Sequence, residues 1–451
     1  MLSTSLVALD ATILATAVPA IVDDLGGFGQ FPWLFSIYLL AQAVSTPIYG
    51  RLSDVFGRKP VILVGIGLFL LASVLCGLAW SMPVLIIFRL LQGLGAGAIQ
   101  PMSITIAGDI YTLRERAVAQ GYIASVWGIS SVIGPALGGI FADYLSWRGI
   151  FFINIPLCLV AAAILWRNYN ERVERKGQRI DYAGALVLTA GTTLLILGLL
   201  EGGEAWAWNS PISIAIFVAS VLFLVAFIQI ERKVQQPILP LWVFRRRVLV
   251  ASSLISAGVG AVVLGLSSYV PTYAQEVLGA SALIAGFSLA ALTIGWPIAA
   301  SLAGRIYLPL GFRWTTLFGS TFVVVGTLLM LLLGIESQVW EVALFCLVIG
   351  IGMGLVAAPS LIAAQTSVGW DERGVVTGAN LFARSIGSAV GVAVFGAIVN
   401  AAASDTSSTP DPIELTSGVH TVFLVIAIIG VGVFIASAFM PKHVLAPEAN
   451  G

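Results

Sequence analysis

The chain is predicted to be an all-α polytopic membrane protein, with fourteen transmembrane helices arranged as two six-helix bundles plus two inserted helices. Three observations carry this reading. Of 451 residues, 59% are hydrophobic and 10% charged; soluble domains carry roughly 25% charged residues, so the solvent for most of this surface is lipid. Apolar runs near the roughly 20 residues needed to cross hydrocarbon recur along the whole length. A basic loop near the start returns in degenerate form eight spans later. No soluble domain is expected.

Hydropathy places the spans at residues 2–21, 31–50, 60–80, 82–108, 117–142, 149–167, 182–200, 212–230, 248–270, 281–304, 315–335, 339–364, 375–400 and 418–440. An even count puts both termini on one side. With loops assigned by that count, nineteen Lys and Arg residues fall on one side, including Arg172, Arg175, Lys176 and Arg179. The other side receives only Arg148, while Arg89 and Arg384 stay inside spans. The positive-inside rule makes the basic side cytoplasmic, and both termini with it. The net charge of +0 sums two faces of opposite character and points to no nucleic-acid partner.

The basic loop is Gly50-Arg-Leu-Ser-Asp-Val-Phe-Gly-Arg-Lys59, and its degenerate copy is Gly304-Arg-Ile-Tyr-Leu-Pro-Leu-Gly-Phe-Arg313. The offset, 304 − 50 = 254 residues, corresponds to eight spans at 451/14, about 32 residues each. Two six-helix halves joined directly would give six, so the expected division is 1–167, an inserted pair within 168–247, and 248–451. Both copies keep their glycines, but Leu308 and Phe312 replace Asp54 and Arg58. Asp54 and Arg58, at i,i+4 spacing, therefore read as a one-sided latch, with Gly50, Gly57 and Lys59 in the same gating segment.

Polar residues inside the spans are the remaining candidates. Asp10 lies eight residues into the first span, about 12 Å deep at 1.5 Å per residue. A carboxylate there must face a cavity or a partner, and it suits proton coupling; a structural hydrogen bond is the alternative. Arg89 is the matching cation, electrostatic in role because arginine does not deprotonate, or else snorkelling to the outer interface. Gln92, one turn on, offers a neutral hydrogen-bonding group facing the cavity. Gly134 and Gly138 form a small-xxx-small pair flanking Pro135, which fits either a hinge or seal between the halves or tight helix packing. Asn380 and Arg384 share a helix face and are candidates for the substrate cavity, with snorkelling of Arg384 as the alternative. Tyr273 and Glu276 could line an exit path, although tyrosine is also the usual interfacial anchor.

The other polar residues suggest no chemistry. Asp181, Asp371 and Glu372 read as solvated loop charges. Cys76, Cys158 and Cys346 read as small core residues, and His420 and His443 lie at or beyond the end of the last span. No catalytic cluster, metal spacing or G-x-x-x-x-G-K-[ST] phosphate loop occurs, so neither an enzyme, a cofactor nor an ATP-driven pump is expected. A channel has no need of an in-span Asp and Arg.

Five further segments stand in order on the expected spans: Leu9–Pro19, Arg89–Gly97, Gly134–Gly139, Trp147–Pro156 and Gly378–Gly387. With the Gly50–Lys59 loop they resemble the signatures of the major facilitator superfamily, and in particular of its fourteen-span drug:proton antiporters. The resemblance implies two parallel halves around a substrate site near the bilayer midplane. It associates Arg89 with proton coupling and the Gly134–Gly138 segment with antiport. The expected function is proton-coupled export of hydrophobic or amphiphilic compounds by alternating access in a bacterial inner membrane, by a monomer whose partners are protons, a small amphiphilic substrate and the bilayer. Export of an endogenous lipid, siderophore or metabolite, or uncoupled facilitation, stays open beside it.

Overall fold

The structure is a computed structural model that describes residues 1–27, 30–171, 181–203, 205–402 and 412–442. The expected charges Arg172, Arg175, Lys176 and Arg179, and His443, lie outside the described residues. Hydrocarbon offers no partner for backbone polar groups, so a chain this apolar must satisfy them within each segment, which makes the spans helical.

Fourteen helices of span length occur among the described residues. Helices 1 to 6 are Leu2–Leu25, Trp33–Phe56, Arg58–Gly77, Met82–Ile110, Leu113–Tyr144 and Gly149–Asn168, the last with an irregular turn at Ile153. Helices 7 and 8 are Tyr182–Glu201 and Pro211–Glu231. Helices 9 to 14 are Arg247–Thr272, extended by a wide π-type turn Tyr273–Val277, then Ala282–Leu310, Phe312–Met330, Val339–Thr366, Arg373–Ala402 and Pro412–Ala438. Thirteen are long and apolar enough to cross a membrane; helix 2, with Gln42, Ser45, Thr46 and Pro47 on inward positions, is the more polar one.

Several helices run past the hydropathy boundaries, because charged and polar ends are held by the fold rather than by water. Gly50–Lys59 is no loop. Helix 2 continues to Phe56 and helix 3 starts at Arg58, with Gly57 alone between them at φ 97°. Gly311 does the same between helices 10 and 11 at φ 85°. That left-handed conformation favours glycine, which is why both copies retain one. Other ends are capped locally: Thr112 N donates to Glu115 Oε2 at 3.0 Å at the start of helix 5, and Ser210 Oγ accepts from Ser213 N at helix 8. Asp181, expected to be solvated, is 8% exposed and caps helix 7 through Gly184 N at 2.8 Å.

The packing repeats with an offset of eight helices. Helices 2 and 4 pack as 10 and 12 do, 3 and 4 as 11 and 12, 1 and 5 as 9 and 13, and 3 and 6 as 11 and 14. The two sets meet along helix 2 against 13 and helix 5 against 10, which are themselves related by the same offset. Helices 7 and 8 pack on each other, and helix 7 leans on helices 2 and 13. Helix 8 presents Ile212, Ile214, Val218, Val221 and Leu222 outward, an apolar face suited to lipid.

Candidate functional site: a buried ion pair, a central cavity and a latch

Inside the first six helices, one polar cluster joins five of them. Asp10 on helix 1 accepts from Arg89 Nη1 at 2.5 Å and from Gln92 Nε2 at 2.7 Å, both on helix 4. Arg89 Nη1 also donates to Gln92 Oε1 at 2.7 Å, and its Nε to Leu34 O on helix 2 at 3.1 Å. The guanidinium lies 4.2 Å from the centre of the Tyr38 ring. Ser73 on helix 3 accepts from Gln92 Nε2 at 2.9 Å, and Asn154 on helix 6 reaches both Asp10 and Ser73 at 3.3 Å. Asp10 and Arg89 side chains are only 2% and 1% exposed. Each ion is costly alone in such surroundings and tolerable only because the other is present. Among the described residues, Asp10 is the carboxylate paired with Arg89.

Arg89 therefore does not snorkel, and Gln92 belongs to this cluster rather than to a substrate cavity. Asn154, Ser73 and Tyr38 carried no sequence-based expectation. Asn154 was nonetheless legible as a polar side chain in an apolar span, within Trp147–Pro156.

A cavity of about 420 Å³ lies between the two sets of helices. Its walls are mainly apolar and include Trp127 and Trp296, with Gln100, Gln120, Thr12 and Ser388 among the neutral polar groups. Arg384 is the one ionisable side chain among the described lining residues. It stands eleven residues into helix 13, about 16 Å along the axis, at midplane depth.

The other cavity candidates point elsewhere. Asn380 is sequestered between helices 9 and 13: its Nδ2 donates to Ser252 Oγ at 2.8 Å, and its Oδ1 accepts from Ser256 Oγ at 3.0 Å. Tyr273 is buried, donates to Gly334 O at 2.9 Å and packs edge-on against Phe423. Glu276 is exposed on the π-type turn. These three residues do not line the cavity.

The halves are fastened on the basic side. Asp54 at the end of helix 2 accepts from Gly374 N at 2.9 Å and Val375 N at 2.8 Å, the first amides of helix 13. Arg58, itself fully buried, pairs with Asp54 at 3.0 Å and with Asp109 at 3.0 Å. It donates to Trp370 O and lies 3.7 Å from the centre of the Trp370 ring. Asp109, ending helix 4, also pairs with Arg373 at 2.9 Å. A helix N-terminus gathers unpaired N–H groups and the positive end of the dipole, so a carboxylate there is well placed. Gly50 permits the approach: a Cβ at this position would sit 2.6 Å from Gly374 O.

Across the related contact, the fastening is built differently. Tyr307 on helix 10 donates to Leu113 O on helix 5 at 2.5 Å and stacks on Phe312, ring centres 4.9 Å apart. Arg116 reaches Thr366 at 3.2 Å. The replacements Leu308 and Phe312 thus remove the ionic latch on this side and leave an aromatic one. Asp109, Trp370, Arg373 and Tyr307 carried no assigned role in sequence, because charged and aromatic residues at helix ends are ordinary at a membrane surface.

Two expected gating elements belong within the first six helices. Lys59 donates to Trp166 O at 2.7 Å, on helix 6. Gly134 and Gly138 receive helix 1: a Cβ at either would lie 2.1 Å from Thr12 Oγ1 or Thr16 Oγ1. Thr16 also donates to the carbonyl of Pro135 at 3.4 Å. The Gly134–Pro135–Gly138 segment packs helix 5 on helix 1.

A prediction attaches to the close approach. Gly50→Ala is expected to wedge helix 2 from helix 13 and to cut transport several-fold while leaving the folded fraction intact. Size-exclusion profiles and transport assays in vesicles check this; undiminished transport would show that the contact yields freely.

Comparisons with known proteins agree with this architecture. A family model described as the Major Facilitator Superfamily matches residues 1–392. Multidrug transporter protein MdtP of Bacillus subtilis (strain 168) is 36% identical over 394 residues, covering 87% of this chain and 73% of that protein. Multidrug resistance protein 3 of the same bacterium is 36% identical over 392 residues, covering 87% and 76%. Efflux pump dotC of Dothistroma septosporum (strain NZE10 / CBS 128990) is 32% identical over 398 residues, covering 87% and 69%. The human organic anion transporter MFSD10 (TETRAN) has the same fold, with a TM-score of 0.69 at 15% identity over 97% of both chains. The chain belongs to the major facilitator superfamily, a family of membrane transporters rather than enzymes.

Proposed function

We propose that this protein exports hydrophobic or amphiphilic compounds in exchange for protons, by alternating access. The observation that carries the reading is a mainly apolar cavity at midplane depth, walled by both sets of helices and fastened below by a latch on the basic side. Residues 1–167 and 248–451 act as the two bodies that rock, with 168–247 inserted beside them. The relatives named as multidrug transporters and efflux pumps support an efflux role. The basic side is taken as cytoplasmic by the positive-inside rule, and both termini with it; the Bacillus subtilis relatives support a bacterial cell membrane.

In this scheme Asp10 carries the proton. With Asp10 ionised, it and Arg89 hold helices 1 and 4 together. When a proton neutralises Asp10, the uncompensated Arg89 favours a different arrangement of the bundle. Asp54, Arg58 and Gly50 act in gating rather than cargo binding, since they lie at the helix ends and away from the cavity. The gradient is an ample source: about 2.3 kcal/mol per charge per 100 mV, before the pH contribution.

Purified protein in proteoliposomes loaded with a pH-sensitive dye tests the coupling. Adding a fluorescent amphiphile is expected to drive proton movement opposite to the probe, and collapsing the gradient to stop probe accumulation. Probe movement indifferent to the gradient would leave an uncoupled facilitator instead.

A further inference from the structure

We propose that the central cavity selects an anionic amphiphile, one carrying a carboxylate or similar oxyanion on an apolar aromatic body, and that Arg384 receives its charge. The inference rests on the cavity being the cargo site proposed above. It begins with a contrast among the interior arginines. Arg58 is paired with Asp54 and Asp109, Arg89 with Asp10, and Arg373 with Asp109. Arg384 makes no ion pair among the described residues, and its Nε is buried with no hydrogen-bond acceptor. Its guanidinium carbon lies over the face of Trp296, 5.8 Å from the ring centre.

The fold aims this cation at the cavity. Helices 9 and 13 touch so closely that a Cβ at Gly260 would lie 2.2 Å from Arg384 O, and one at Gly387 2.0 Å from Ala257 O. Asn380, one turn earlier, is spent on helix 9. Arg384 is turned away from that contact, toward Trp296 on helix 10, and lines the cavity. The side chain is partly buried, and no carboxylate among the described lining residues compensates its charge.

No Asp or Glu stands among the described lining residues. A cationic compound would meet a fixed positive charge with no counter-ion, whereas a carboxylate can take two parallel N–H bonds from the guanidinium fork. The apolar walls and the Trp127 and Trp296 rings suit an aromatic body, and Gln100 and Gln120 offer neutral hydrogen bonds. This is a selectivity filter by charge rather than by shape.

The test measures binding of two probes that share one naphthyl-alkyl body, one ending in a carboxylate and the other in a trimethylammonium group. Quenching of tryptophan fluorescence in purified protein, in a non-ionic detergent, reports affinity without any gradient. The carboxylate is expected to bind about ten- to a hundred-fold more tightly, the range of a lost charged hydrogen-bonding partner. Arg384→Gln should erase the preference, and Arg384→Lys should keep part of it. Equal binding of the two probes by the natural protein, or an unchanged ratio in Arg384→Gln, overturns the proposal. Should Arg384→Gln not fold, the ratios for the natural protein and Arg384→Lys still decide. Selective carboxylate binding without transport would overturn the exporter reading alone, and transport of the ammonium probe without carboxylate preference would overturn this one alone.

Discussion

Asp10→Asn is expected to reduce proton movement to background in reconstituted vesicles and to destabilise the protein. The variant keeps the shape of the side chain but leaves Arg89 as a buried cation facing neutral groups. Removing one partner of a buried pair typically costs about 3–5 kcal/mol, because the other ion is left uncompensated. Gln92 and Asn154, which donate to Asp10 at 2.7 and 3.3 Å, can still bond the remaining carbonyl, so the loss should fall toward the lower end. Combining Asp10→Asn with Arg89→Gln should restore much of the thermal stability, since no charge is then stranded, but not the proton coupling. Melting curves and dye-based proton flux for the single and double variants separate the two effects. Proton flux at the natural rate in folded Asp10→Asn would remove Asp10 from the coupling role.

Asp54→Asn is expected to slow transport sharply with little change in cargo affinity. The carboxylate accepts from both Gly374 N and Val375 N, at the positive end of helix 13, and pairs with Arg58. An asparagine can accept from only one of those amides and presents its own N–H₂ to the other, while Arg58 keeps Asp109 and Glu171. Losing one charge-assisted bond shifts the closed-to-open ratio by about 1.5–3 kcal/mol, roughly ten- to a hundred-fold. The three native cysteines are free and buried, so a single Gln120→Cys reporter in the cavity can be followed with an impermeant maleimide applied to the basic side. Faster labelling in Asp54→Asn is the expected result. A large loss of cargo affinity with unchanged labelling would contradict the latch.

The two variants test contacts of different kinds. The Asp10 cluster is internal to one bundle, so its failure is read as lost coupling and stability. The Asp54 latch spans two bundles, so its failure is read as an altered balance between conformations.

How much of this was legible follows from the range of each interaction. The helical spans came from hydropathy, because lipid solvation acts on every helix separately and leaves its mark in composition. Asp10 and Arg89 stood out for the same reason: an ion inside an apolar run is costly and needs a partner or a route to water. Their mutual contact, and the enclosing places of Ser73, Asn154 and Tyr38 around it, were not legible, since residues on five helices acquire neighbours only when those helices pack. Asn380 and Arg384 illustrate the limit most sharply. Their i,i+4 spacing puts them on one face, yet a turn and a tenth of helix separates them by about 40°, enough to send one against helix 9 and the other into the cavity.

By itself, then, the amino-acid sequence determined an all-helical membrane protein of fourteen spans, a glycine turn repeated at Gly57 and Gly311, and charged residues too costly to be incidental. Tertiary structure alone decided which of them meet. Gly50–Lys59 became a junction between helices whose aspartate caps the start of helix 13, and Gly134–Gly138 became a seat for helix 1. Gln92 went to the ion pair, while Arg384 was left without a carboxylate in the cavity. The reason is that hydrophobic patterning specifies which segments leave water, whereas buried charges take their roles from the few ångströms between helices far apart in the chain.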